Sequence, residues 1–435
     1  MPAKPFHLGW FQTFQANEWK TPYTLSEGVP FTGDFYVELA QALERACFDF
    51  LMLEDTVGIP RGLEGTTARA LENGDSCPKQ DPVPLAAKVG ALTRQLGIVA
   101  TMSTTFYHPY ALARLASTMD SLTSGRFGWN VVTSAKDEAA QNYGLDEMPE
   151  HDLRYEIADE FVELVNALCD SWEPGAIVRD RKRGIYIDPS KVHDVDFVGK
   201  HFKSRGPLTC VRSPQGRPVY LQAGGSSAGR AFAAKHADAI IAWATGVEGM
   251  KEYRADIRKQ AAAAGRDPDD VKVMFLFSPI LGETEAEARA KIKPMSEEEI
   301  PARLKALSSN FYADFTKMDL DQPVPYFVTR GEQGSLAGFA QWGTGKTLRQ
   351  CMEAQSGGGA TSFEAIGTPD QVADIMAAAM EEVGGDGFLI PGDGGSLTRH
   401  RIIEICDGLV PALQARGLTR TSYSHALLRD NLRAF

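Results

Sequence analysis

Eight times along the chain a short apolar run gives way to a longer stretch with helical spacing, and no other feature restricts the possible folds as much. The runs are "HLGWF" (7–11), "FDFLMLED" (48–55), "LGIVATMSTT" (96–105), "RFGWNVVTS" (126–134), "PVYLQAG" (218–224), "DAIIAWA" (238–244), "VKVMFLFSPIL" (271–281) and "GFLIPG" (387–392). Aromatic and β-branched residues dominate them and turn signals flank them, as strands require. Helical patterns follow in "YVELAQALERA", after Asp81-Pro82, from Tyr110 to about Ser121, from about His151 to Cys169, in "SSAGRAFAAKHA" and "GMKEYRADIRKQAAAAG", and at about 368–383 and 400–416. Eight strands alternating with eight helices predict an α/β fold, the (β/α)8 TIM barrel. An open doubly wound sheet is the other arrangement the pattern allows.

The rhythm is interrupted twice. Residues 172–216 are polar, punctuated by Gly and Pro, and too long for a plain turn; residues 284–366 hold helical stretches and end in "QSGGGATS". These read as insertions after strands 4 and 7 of a single barrel domain. Long insertions after barrel strands commonly serve as lids or binding loops. The second, with "QWGTGK" and "QSGGGATS", is the candidate lid.

Charge and cysteine usage narrow the function classes. With 45 Lys and Arg against 57 Asp and Glu the formal charge is −12, which disfavours a nucleic-acid partner. No run of about 18 apolar residues suggests a membrane span, and "MPAKPFHLGW" lacks the apolar core of a secretory signal. Six scattered cysteines without metal-type spacing fit reduced thiols in a cytoplasmic protein without a metal site.

Polar residues close several of the strands, where a core strand gains nothing from them unless they find hydrogen-bond partners. Glu54 and Asp55 close the second; Ser103, Thr104 and Thr105 close the third, followed by His108; Asn130, Thr133 and Ser134 close the fourth; Gln222 and Gly224-Gly225-Ser226-Ser227 close the fifth. In a barrel these ends share the face on which active sites are built. A helix N-cap is the alternative reading for any one hydroxyl, and His108 before Pro109 could equally begin a helix. Two glycines and two serines opening a helix straight after a strand suit an anion, since backbone N–H groups and the helix dipole converge there. No Gly-Lys-Ser/Thr follows, so this is not a P-loop.

Several long motifs then identify a resemblance: "TMSTTFYHPYALARLASTMDSLTSGRFGWNVVTS" (101–134), "NYGLDEMPEHDLRYEIADEFVEL" (142–164), "PQGRPVYLQAGGSSAGRAFAAKHAD" (214–238), "GTPDQVADIMAAAMEEVGGDGFLI" (367–390), and "LVPALQARGLTR" with "LRDNL" (409–432). In order and over almost the whole chain, the sequence resembles the flavin-dependent monooxygenases of the bacterial luciferase-like superfamily. The nearer branch contains nitrilotriacetate, EDTA, dibenzothiophene-sulfone and long-chain alkane monooxygenases. The resemblance implies a barrel that binds reduced FMN, activates O2 as co-substrate and oxidises a small organic molecule beside a C–N or C–S bond. It also implies a separate NAD(P)H:flavin reductase and a homodimer or homotetramer.

By position, the resemblance places Asn130, Val132 and Thr133 against the isoalloxazine and Asp55 near its polar edge. Arg154 and Tyr155, with Gly225, Ser226 and Ser227, would form the phosphate site. Ser103, Thr104 and His108 would line the face where oxygen meets substrate, with Asn130, Thr104 and His108 as the catalytic candidates. Two departures stand out. Relatives often carry a small residue where Glu54 stands; this carboxylate could face the flavin or turn outward against a Lys or Arg. The alkane-oxidising branch has a histidine in the first loop, where this chain reads "FQTFQANEWKTP" and offers Gln12, Gln15 and Asn17, which favours a polar substrate. Other readings are a flavin-degrading enzyme that takes riboflavin as substrate, an F420-dependent oxidoreductase on the same barrel, and a non-catalytic flavin-binding subunit.

Overall fold

The computed structural model describes residues 4–14, 30–59, 61, 66–74, 77–292, 295–311, 313–323, 346–356, 361–392 and 398–435. Eight parallel strands close into a barrel: β1 (His7–Thr13), β2 (Phe50–Glu54), β3 (Gly97–Ser103), β4 (Phe127–Val132), β5 (Val219–Ala223), β6 (Ala239–Ala242), β7 (Lys272–Leu276) and β8 (Gly387–Pro391). Each strand pairs with its sequence neighbours, and β8 returns to β1 with His7 opposite Gly387. The barrel helices are α1 (Asp34–Arg45), α2 (Pro82–Leu92), α3 (Pro109–Leu122), α4 (His151–Asp170), α5 (Ser227–His236), α6 (Gly246–Ala263), α7 (Pro369–Val383) and α8 (399–415). The middle of α8, Glu404–Leu409, is a π-helical turn. No helix among the described residues is long and apolar enough to cross a membrane.

Alternation along β4 explains how one strand serves both core and site. Successive side chains point to opposite faces. Phe127, Trp129 and Val131 enter the layer between barrel and helices, where Trp129 packs on Phe161 of α4 and Tyr220 of β5 and donates its indole N–H to Met102 O at 2.9 Å. Gly128 and Asn130 therefore turn into the barrel. A Cβ at Gly128 would stand 2.9 Å from Val99, so the lumen leaves it no room. Inside the barrel Phe50, Met52, Val99, Leu221, Met274 and Leu389 form a second core, closed at one end by Leu428 and Leu432.

The two insertions differ in where they attach. Residues 172–216 leave the C-terminal end of α4 and lead into β5, so they belong to a helix-to-strand connection on the face away from the strand ends. They form two short hairpins, Ile177–Asp180 with Ile185–Ile187 and Phe197–Val198 with Lys203–Ser204. The second is tied to the side of the barrel by Glu160, whose carboxylate accepts from Lys200 N, His201 N and Phe202 N at 2.8, 2.8 and 2.6 Å. The segment thus comes after strand 4 by way of α4, and attaches away from the strand ends where lids and binding loops are built.

The second insertion does leave a strand end, between β7 and α7. Its helices Ile300–Phe311 and Leu348–Ser356 form a small core of their own, against which Trp243 at the end of β6 packs. "QWGTG" and most of "QSGGGA" lie outside the described residues, as do Gln15 and Asn17 of the first loop. The run "VKVMFLFSPIL" is not one strand. β7 ends at Leu276, and after Pro279, which has no N–H to give a ladder, Ile280–Leu281 pairs instead with Ile366–Gly367 outside the barrel.

Candidate active site

A cavity of about 890 Å³ opens at the C-terminal ends of the strands, within the size range of small-molecule sites. Of the residues singled out from sequence it gathers Asp55, Ser103, Asn130, Val132, Thr133, Arg154, Tyr155, Gly225 and Ser226 into one wall. None of residues 172–216 reaches it.

Asn130 is held by a directional chain. The Thr101 hydroxyl donates to Leu53 O at 2.8 Å, so it can only accept from the Asn130 amide, at 2.9 Å. The amide nitrogen is thus fixed on Thr101. The Asn130 carbonyl oxygen is buried without a protein partner among the described residues. A buried acceptor left open costs about 1–3 kcal/mol, and here a ligand N–H can satisfy it.

Arg154 lies in the first turns of α4 and is 3% exposed. It donates to Ser134 O, and Ser134 reaches Ser103 through a hydroxyl contact of 2.9 Å. Among the described residues no carboxylate lies within ion-pairing distance, and the guanidinium Nε has no partner. Burial depresses the Arg154 pKa. Buried cations are normally paired; this one is left open toward a cavity. Across from it, Ser226 caps α5 by accepting from Gly229 N at 3.1 Å. The Tyr155 hydroxyl reaches Ser226, Gln222 and Thr133, with its pKa raised by burial. At Gly224 a Cβ would stand 2.5 Å from Gln222 Oε1 and 2.7 Å from Gly229 O, so no side chain fits between β5 and α5. A helix N-terminus, a capping serine, two glycines and an uncompensated guanidinium make an anion cradle. The residues present fit a phosphate ester whose flat head extends toward Asn130.

Three candidates stand apart. Thr104 is buried and staples the strand ends together, its hydroxyl giving 3.3 Å and its N–H 2.9 Å to Val132 O. His108 caps α3, its Nδ1 accepting from Tyr110 N at 3.2 Å. Ser227 is the first residue of α5. None of the three lines the cavity. His108 thus starts the helix rather than lining the oxygen face, because Pro109 at the first helical position leaves the cap to its predecessor.

Sequence reading missed the segment Cys77–Asp81, which lines the cavity through Lys79, Gln80 and Asp81. Lys79 Nζ meets Glu54 Oε2 at 2.5 Å, and the Thr56 hydroxyl donates to Glu54 Oε1 at 2.8 Å. Glu54 thus takes the Lys-paired alternative, within the cavity wall. Asp55 beside it has no such partner among the described residues; burial, then the neighbouring Glu54 charge, push it up to about 7. Phe106 and Tyr143, stacked at 4.3 Å, and Tyr107 complete an aromatic side that the strand-end pattern did not signal. The only available cue was the "CPKQDP" turn before a helix.

Residues 6–387 match the luciferase-like monooxygenase family. The chain is 37% identical over 418 residues to dibenzothiophene-sulfone monooxygenase of Rhodococcus erythropolis, covering 92% of this chain and 90% of that one. It is 36% identical over 403 residues to dimethyl-sulfide monooxygenase of Hyphomicrobium sulfonivorans, covering 92% and 83%. Among solved structures, a riboflavin lyase determined with modified FMN and riboflavin superposes with a TM-score of 0.89 at 32% identity, covering 99% of this chain and 96% of that one.

Proposed function

The chain belongs to the luciferase-like monooxygenases, and from that premise we propose that it is the oxygenating component of a two-component system, using reduced FMN and O2 on a small organic substrate beside a C–S or C–N bond. The observation that carries the cofactor half is Arg154: a buried guanidinium without a carboxylate partner among the described residues, lining the same cavity as the capping Ser226 of α5. Reduced FMN supplies the electrons that activate O2 when it is bound.

The protein's share is binding, orientation and dryness. Arg154, Tyr155, Gly225 and Ser226 would hold the phosphate. The Asn130 carbonyl oxygen would take a ring N–H, and Val132 and Thr133 would support the ring. Phe106, Tyr107, Tyr143 and Trp243 give the cavity apolar surface that keeps water from the reacting atoms. The names of relatives that act on sulfur compounds, dimethyl sulfide and dibenzothiophene sulfone among them, favour the C–S class.

The test is anaerobic titration of the purified protein with oxidised FMN, reduced FMN and riboflavin, followed by turnover with a flavin reductase, NADH and a panel of organosulfur compounds and amines. One reduced FMN per chain, bound more tightly than riboflavin, with substrate-dependent O2 uptake, is expected. Absence of flavin binding refutes the assignment. Two flavins per chain, or consumption of riboflavin, would instead favour the second reading, a flavin-degrading enzyme, which the 0.89 TM-score to a riboflavin lyase supports.

A further inference from the structure

The segment Cys77–Asp81 and the end of β2 bring three carboxylates and one ammonium together in the cavity wall. We infer that Glu54 is a positioning residue whose charge, only partly offset by its partner Lys79, holds Asp55 as a proton-carrying carboxyl facing the bound ligand. The geometry is asymmetric. Lys79, its side chain 7% exposed, spends its charge on Glu54 at 2.5 Å. Glu54 also receives the Thr56 hydroxyl, so both its oxygens are occupied by donors. Among the described residues, Asp55 is left with the Thr56 backbone N–H as its donor. Around it stand Glu54 on its own element, Lys79 and Asp81 on the segment before α2, Tyr107 after β3, and Tyr143 after the short helix Asp137–Asn142. The tyrosines are neutral there: burial pushes Tyr107 up to about 12 and raises Tyr143. Two carboxylates therefore outweigh one already committed cation. The third carboxyl keeps a proton near neutral pH because burial and the Glu54 charge outweigh the attraction it draws from the already paired Lys79.

A neutral carboxyl offers an O–H donor and a C=O acceptor side by side. That pair is complementary to a –C(=O)–NH– edge, which an ionised carboxylate, an acceptor only, is not. Flavins carry such an edge on the pyrimidine ring. This part of the inference rests on the proposed flavin site, whereas the proton on Asp55 does not. Above the titration midpoint Asp55 ionises and loses its donor, so affinity for the lactam edge falls as pH rises. The direction follows because the ligand binds the protonated form.

The experiment separates the two. Infrared spectra of the flavin-free protein from pH 5.5 to 8.5 give the carbonyl stretch of protonated carboxyls, and subtracting the Asp55→Asn spectrum isolates Asp55 from other buried acids such as Asp120. A band present at low pH and lost with a midpoint near 7 is expected. Glu54→Gln removes the like charge and moves the midpoint down, by about one pH unit for charges one residue apart in a half-buried site. Lys79→Met leaves Glu54 unpaired and moves it up, while Lys79→Arg restores it. No Asp55 band, or a midpoint that Glu54→Gln and Lys79→Met do not move in opposite directions, overturns the inference. In parallel, FMN affinity of the wild type relative to Asp55→Asn, whose profile carries only the phosphate's own titration, is expected to fall up to tenfold per pH unit above the midpoint. An identical pH profile in both proteins overturns the placing of Asp55 on the flavin edge. A protein that binds no flavin at any pH refutes the flavin site alone, and the infrared midpoints still decide the proton.

Discussion

Replacing Arg154 with Met removes the one cationic side chain of the proposed cradle. The guanidinium gives one N–H to Ser134 O and keeps Nε free. A phosphate oxygen there would gain at least one charge-assisted hydrogen bond, about 1.5–3 kcal/mol. Its loss corresponds to roughly a 10- to 150-fold rise in Kd. Riboflavin has no phosphate, so its affinity should change by less than about threefold, within the noise of a lost packing contact. Fluorescence titration of both flavins, with both proteins, therefore yields the FMN-over-riboflavin preference, which Arg154→Met should abolish. Stability should move the other way or not at all. An uncompensated guanidinium is a cost to the flavin-free fold, offset in part by its bond to Ser134, so the flavin-free variant should unfold within about 1 kcal/mol of wild type or above it. An equal loss for the two flavins, or an unchanged FMN Kd, would refute the phosphate assignment. A large drop in stability would mean that Arg154 is a structural staple.

Gly224→Ala should abolish flavin binding without unfolding the barrel, because the added methyl meets Gln222 Oε1 and the Gly229 backbone at the cradle itself; equilibrium dialysis with circular dichroism checks both halves. His108→Ala should leave kcat within about twofold while costing about 1 kcal/mol of a helix cap, read by turnover and urea unfolding; a hundredfold loss of kcat would return His108 to the chemistry. Asp238 is flanked by Arg217 at 2.9 Å and Arg429 at 3.4 Å and is held down to about 2. A depressed carboxyl contributes stability that is present above its unfolded value of 3.8 and lost as pH falls from there through 2. Asp238→Asn should therefore destabilise by about 3–5 kcal/mol at neutral pH and flatten the acid limb of a melting-temperature profile.

The barrel was legible in the sequence because each of its strands is buried on both faces. "DAIIAWA" and "GFLIPG" have almost no polar residue to confuse the period, and their neighbours are equally apolar. Boundaries failed where apolar character outlasts the ladder, as at Phe277, buried and aromatic yet beyond the end of β7. In the proposed anion cradle, the turn Gly224-Gly225-Ser226 could be read from its own contiguous residues, whereas Arg154 and Tyr155, on a different element, entered only through the family resemblance. The Glu54–Lys79 pair was not legible, since 25 residues separate its members and no local spacing signals an ion pair formed by chain return. Thr104 and His108 misled for the opposite reason. Hydroxyl and imidazole groups at strand ends serve backbone caps as readily as ligands, and only the direction of the side chain separates the two uses.

The pairing of β1 with β8 sets an order on how this protein can be born. His7 finds its partner Gly387 only after 380 further residues have been made (387 − 7), which at 5–20 residues per second is about 20–80 s of synthesis. During that time β1 can take β2 on one side, but its other edge carries open N–H and C=O groups flanked by Leu8 and Trp10. An unpaired apolar edge is a template for the wrong strand, including one from a neighbouring nascent chain. The closure that leaves the finished barrel without a strand edge also makes its first strand the last to be protected, and expression yield should depend on translation speed and chaperone supply more than on the stability of the folded barrel.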